Sequence, residues 1–154
     1  MTRADAGFEG PIPDRLREAI DRQDEIFRDT FPGALGVRIL DVTDTSARGS
    51  LNVDHRVLHP GGSAHGGALA GFGDTVAAWA TFPHLPDGGT FTTIEFKANF
   101  IAAARDGTLL ADATIVHKGS RTLVIDVRIT SEADGRLVCA MIVTQALLPA
   151  RNGD

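Results

Sequence analysis

The spacing of hydrophobic positions changes twice along this chain, and each change marks a change of element. Ile12, Leu16, Ile20 and Phe27 fall at helical intervals, with Asp, Arg and Glu between them. That pattern predicts one amphipathic helix across 12–30, ended by Pro32-Gly33. Leu35, Val37 and Ile39 then alternate with small or polar residues. Ala47, Gly49, Leu51 and Val53 repeat the alternation after a turn at DVTDTSA, so a hairpin is expected. From Ala68 to Phe82 every face is apolar or small, as in a helix that a sheet wraps. PHLPDGG is a loop by its turn residues. Beyond it, Ile94, Phe96, Ala98 and Phe100 alternate with Thr93, Glu95, Lys97 and Asn99. LLADATIVH, RTLVIDVRIT and LVCAMIVTQALL follow, with turns at Asp106-Gly107 and EADGR. The expected class is α+β: a short helix, a hairpin, one buried helix and a four-stranded antiparallel meander of long strands. A polar lead-in at 1–10 and the tail PARNGD are expected to lie loose at the two ends.

Length and composition narrow the picture. A chain of 154 residues fits one domain, spanning 1–154, with a core that buries roughly two-thirds of the unfolded surface. Hydrophobic residues make up 43% and charged residues 23%, an ordinary globular balance. The net charge of −5 and the absence of a Lys/Arg cluster argue against nucleic acid as a partner. Cys139, alone in the apolar run LVCAMIV, reads as a buried structural thiol. The N-terminal residues lack the apolar centre of a signal peptide, and no run approaches the ~18 apolar residues of a membrane span. The expected compartment is therefore the cytoplasm, with no membrane partner.

The apolar helix raises the functional question, because it contains a carboxylate. Gly66 and Gly67 stand at its start, with Ser63 the expected N-cap, and their N–H groups face outward where the helix dipole favours an oxyanion. Asp74 lies about two turns further in. An unpaired carboxylate in such a setting costs several kcal/mol. Asp74 is therefore paired with a cation, exposed at a crevice, or held at a raised pKa for a purpose.

The string HPGGSAHGGALAGFGDTVAAWA resembles the signature of the hotdog-fold acyl-CoA thioesterases of the phenylacetate-degradation type, with Gly62, His65, Gly66, Gly67 and Asp74 at the matching positions. TTIEFKANFIAAA and VHKGSRTLVIDVRI resemble the strands that follow, so the match covers about 33–148. The resemblance implies a long antiparallel sheet wrapped around one buried central helix, with an extra N-terminal helix. It further implies a homodimer or dimer of dimers with active sites at the subunit interface. A thioester carbonyl would be polarised by the N–H of Gly66 or Gly67, and Asp74 of the partner subunit would act as general base or as nucleophile; both routes stay open. Thr93, with Thr92 as the neighbouring candidate, matches a hydroxyl residue that holds the attacking water. His65 orients the loop. The activity implied is hydrolysis of an acyl-CoA, aromatic acyl groups included, to free acid and CoA, without a cofactor.

Two positions depart from that family. His59 stands where relatives carry an Asn or Gln that helps fix the substrate carbonyl or the water; an imidazole can still donate a hydrogen bond, but its reach and charge differ. IAAAR at 101–105 lacks the usual Arg-Pro. Lys97, Lys118 and Arg121 are the candidates for the CoA phosphates, each equally readable as a solvated strand-end charge. Phe72, Trp79, Phe82 and Phe91 are candidate pocket walls, with core packing as the competing role. His55, His59 and His65 lack metal-ligand spacing, and Ser63 lacks the elbow that a serine triad uses. The alternative reading is a hotdog protein that binds acyl-CoA without hydrolysing it, as a sensor or scaffold; a hotdog dehydratase lacks its Asp/His arrangement here.

Overall fold

The computed structural model describes residues 12–150. The expectations for the lead-in at 1–10 and for the tail past 150 lie outside the described residues. Six antiparallel strands form one sheet: β1 (Arg38–Val42), β2 (Ser46–Asn52), β3 (Thr90–Phe100), β4 (Thr108–Lys118), β5 (Thr122–Ser131) and β6 (Leu137–Leu148). Their order across the sheet is β1-β2-β4-β5-β6-β3. This is the hotdog arrangement. The expected four-stranded meander is corrected in one respect: β3 pairs with β6 at the far edge, and β2 takes the place beside β4. The long helix, a connection the strand pattern alone does not place, carries the chain from β2, second in the sheet, to β3 at the opposite edge.

Three helical pieces precede the sheet, α1 (Ile12–Asp21), α2 (Gln23–Ile26) and α3 (Phe31–Leu35). The single helix expected over 12–30 is thus broken at Arg22, and Pro32 starts α3 instead of ending a helix, since a proline in the first turn gives up no hydrogen bond. Leu35 belongs to α3, not to the first strand. Gln23 shows how the segment docks. Its Oε1 accepts from Ile39 N–H at 2.7 Å and its Nε2 donates to Ile39 C=O at 3.0 Å, so one buried amide does for the β1 edge what a neighbouring strand would do.

The long helix α4 (Gly66–Thr81) lies in the concave face of the sheet. Phe72, Val76, Ala77 and Ala80 on the helix are fully enclosed, against Leu109, Ala111 and Ala113 of β4, Ile125, Val127 and Ile129 of β5, and Met141 and Val143 of β6. Close approach requires Gly73, where a methyl group would overlap Met141 Sδ. Among the described residues no helix is long and apolar enough to cross a membrane.

The β3 edge is different. Phe96, Ala98 and Phe100 face the same way as their register partners Val143, Met141 and Cys139 in the core. The alternation therefore identified a shared face correctly. It did not show that the face is uncovered: Phe96 is 44% and Phe100 56% exposed, and Ile94, in the adjacent bulge, 58%.

Candidate active site

Asp74 sits half-buried on α4 and meets a hydroxyl from across the sheet. Thr93 Oγ1 donates to Asp74 Oδ1 at 2.8 Å. The β-bulge between Thr93 and Glu95 turns Thr93 toward the helix, and Thr92 points away as an exposed side chain. The hydroxyl expected to hold water thus spends its one proton on the carboxylate. Burial pushes the Asp74 carboxyl above the usual carboxylate range, and the Thr93 hydrogen bond opposes that shift. No charged side chain among the described residues pairs with Asp74.

The start of α4 is organised by imidazoles. His65, not Ser63, is the N-cap: its Nδ1 accepts from Gly67 N–H at 2.8 Å. A ring nitrogen two residues before the donor serves as well as the hydroxyl that capping preferences favour. With Gly67 N–H taken, Gly66 N–H is left without an acceptor among the described residues. Ser63 is instead bonded to His59, Oγ to Nε2 at 2.7 Å, while His59 Nδ1 accepts from Gly61 N–H at 2.8 Å. Because Nδ1 accepts, the ring proton is on Nε2 and is donated to Ser63, so His59 has no lone pair for a serine proton. This pair is a loop brace, not a nucleophile and its base. Gly62 closes the same turn at φ 79°, a left-handed conformation that a side chain would strain. Arg105 Nη1 donates to Gly61 C=O at 3.3 Å, which gives the unusual IAAAR segment a role in holding that loop.

The remaining candidates are more dispersed. Lys97 bonds Asn99 Oδ1 at 3.1 Å, and Lys97, Lys118 and Arg121 are all exposed. His55 is exposed, and no group of three His, Cys, Asp or Glu fit to hold a metal occurs among the described residues. Phe72 and Trp79 are core, while Phe82 and Phe91 continue an edge-to-face aromatic series from Phe27 through Trp79 at 5.4–6.1 Å between centroids. Cys139 is buried and its thiol pKa is raised by that burial. A cleft of about 670 Å³ between α2, α3 and β1 shares no residue with Asp74 or Gly66.

Three residues at the site were not singled out from the sequence. Gln145 Nε2 donates to Thr93 Oγ1 at 3.3 Å, and Thr81 Oγ1 donates to Gln145 Oε1. The available signal was parity: Gln145 follows Met141 and Val143 on the inward face of β6, where an amide is out of place. Phe100 lies with its ring against Gly66, 3.0 Å from where a Cβ would stand. Nothing in the alternation of β3 indicates that contact.

Comparisons with known proteins give the family. Residues 61–138 match the family model described as the thioesterase superfamily. The chain is 34% identical over 121 residues to ComA2 of Bacillus subtilis, covering 77% of this chain and 94% of that one. It is 29% identical over 116 residues to the 1,4-dihydroxy-2-naphthoyl-CoA hydrolase of Escherichia coli, covering 75% and 85%. The crystal structure of a variant of thioesterase PA1618 from Pseudomonas aeruginosa superposes with a TM-score of 0.77 at 26% identity, covering 85% and 92%. By this family match and these relatives, the chain belongs to the thioesterase superfamily and is a thioester hydrolase.

Proposed function

We propose that this protein hydrolyses an aromatic acyl-CoA to the free acid and CoA, in a site shared between two copies of the chain. The observation that carries this reading is the separation of Gly66 N–H from Asp74. Eight residues of helix place them about 12 Å apart along the axis. An oxyanion donor and a base or nucleophile must both come within about 3 Å of the reacting centre. One chain therefore cannot offer both to one thioester, and a second copy with its helix reversed can. The uncovered β3 edge, with Ile94 and Phe96 exposed, is the surface through which we expect the two copies to meet.

In this arrangement the thioester oxygen lies at Gly66 N–H of one subunit. Asp74 of the other removes a proton from water as the water attacks the carbonyl carbon. Collapse of the tetrahedral intermediate breaks the C–S bond, and the proton on Asp74 passes to the departing thiolate. Direct attack by Asp74, followed by hydrolysis of the resulting anhydride, uses the same atoms in another order. Thr93 occupies only Oδ1, leaving Oδ2 for either task. No cofactor is needed for this chemistry.

Two observations support an aromatic acyl group, as in the phenylacetate-degradation type. The Escherichia coli relative is named for a naphthoyl-CoA. The Phe100 ring against Gly66 offers an apolar aromatic wall beside the carbonyl site. The test is thiol release from a panel of aromatic and straight-chain acyl-CoAs by the wild type and by Asp74→Asn. Turnover of an aromatic member, with a loss of about a hundredfold or more in kcat on substitution, is expected. A preference for straight chains, or an active Asp74→Asn, would overturn the respective part.

A further inference from the structure

Gln145 stands where a core strand normally carries an aliphatic side chain. Met141, Val143 and Leu147 share its inward face, and both Gln145 and Thr81 are 0% exposed. A buried amide is tolerated when both of its ends are paired, and here each end meets a hydroxyl. The donor order is fixed from the Asp74 end. A carboxylate can only accept, so Thr93 gives it its single proton and is left as an acceptor. Gln145 must then turn Nε2 to Thr93 and Oε1 to Thr81, and Thr81 Oγ1, which also lies 3.2 Å from Ala77 C=O, donates its one proton to the nearer Oε1. Reversed, the amide would present an oxygen to Thr93 and draw its proton away from Asp74.

We propose that Gln145, held by Thr81, is a positioning residue whose Nε2 donates to the Thr93 oxygen and so holds the Thr93 hydroxyl on Asp74, keeping the carboxylate deprotonated and aimed. This rests on the reading of Asp74 as the reacting carboxylate. A methionine would fill the same volume, but it would leave Thr93 unpolarised and free to rotate. Hydrogen bonds that line up polarise one another, and a bond to the charged form favours that form. Removing the amide therefore weakens the one interaction that opposes the effect of burial on Asp74.

The experiment follows the Asp74 carboxyl carbon resonance through a pH titration, assigned with Asp74→Asn, in the wild type, Gln145→Met, Thr81→Val and Thr81→Ser. Values of kcat and KM across pH are measured on the same proteins. The midpoint is expected to move up in Gln145→Met and Thr81→Val and to stay in place in Thr81→Ser, which keeps the hydroxyl. At neutral pH kcat is expected to fall about tenfold in the first two variants, with KM within about twofold. An unmoved midpoint in Gln145→Met, or in Thr81→Val should the first variant not fold, overturns the proposal. A midpoint that moves while kcat does not overturns the positioning role as well. If Asp74→Asn is fully active in that case, the fault lies in the reading of Asp74 and not in the hydrogen-bond chain.

Discussion

At the first turn of α4 the polar side chains are occupied with one another: His65 holds Gly67, and His59 holds Gly61 and Ser63. What they leave open is a backbone group, the Gly66 N–H. Eight residues on, the arrangement is reversed. The backbone is fully inside the helix, the free group is a side-chain carboxylate, and the polar line behind it runs through Thr93 and Gln145 to Thr81. The first region is cheap to keep, because both His59 nitrogens and His65 Nδ1 have ordinary partners and the His65 ring is exposed. The second is costly, because burial acts on a carboxylate that no cation among the described residues neutralises. In the proposed function the histidines brace the loop, and Asp74, the carboxylate that burial perturbs, does the chemistry.

The comparison breaks most severely if the two copies are separated. Ile94→Lys combined with Phe96→Lys places like charges on the uncovered edge. We expect a monomer by light scattering, with thioester hydrolysis reduced about a hundredfold, because the proposed site needs groups from both chains. A fully active monomer would place both groups in one subunit.

The next effect concerns the cost of the carboxylate. The Asp74 pKa is raised in the folded protein, so its contribution to stability is present below the unfolded value and is lost as pH rises through the folded one. The melting temperature of Asp74→Asn is thus expected to exceed that of the wild type at neutral pH by roughly 1–3 °C, and the gap to close on acidification. In the wild type, kcat/KM rises with pH across the same range, as a deprotonated carboxylate requires. A gap that widens toward acid would mean that Asp74 is stabilised by an ion pair instead.

The smallest change is expected at the brace. His59→Gln keeps one donor and one acceptor, and kcat is expected to stay within about threefold with no loss of folding. A larger fall would assign the imidazole to the chemistry itself.

Much of this was legible in the chain. The apolar run from Ala68 identified the central helix, and Gly66, Gly67 and Asp74 followed from its composition and from the HGG pattern. The strand periods identified β2 and β4 to β6, each of which has one face against the helix. Periodicity does not encode neighbours, so the place of β3 beside β6 was not readable. The cap at His65 was missed because hydroxyl preferences describe the average helix start, while this loop turns an imidazole back on its own helix. The Thr81–Gln145–Thr93 line joins residues up to 64 positions apart, and only folding brings them together.

Mixed oligomers test the shared site most directly. Gly66→Pro removes the N–H at the first helical position, where the backbone tolerates proline after the extended His65, and the exposed Phe100 ring, 3.0 Å from where its Cβ would stand, must give by a few tenths of an ångström. Each of Gly66→Pro and Asp74→Asn alone is expected to be nearly inactive. When equal amounts are unfolded and refolded together, half of the dimers pair one of each, and each such dimer has one site with both defects and one with neither. The mixture should recover about a quarter of wild-type activity. A mixture no more active than its two components would contradict a site built from Gly66 of one chain and Asp74 of the other.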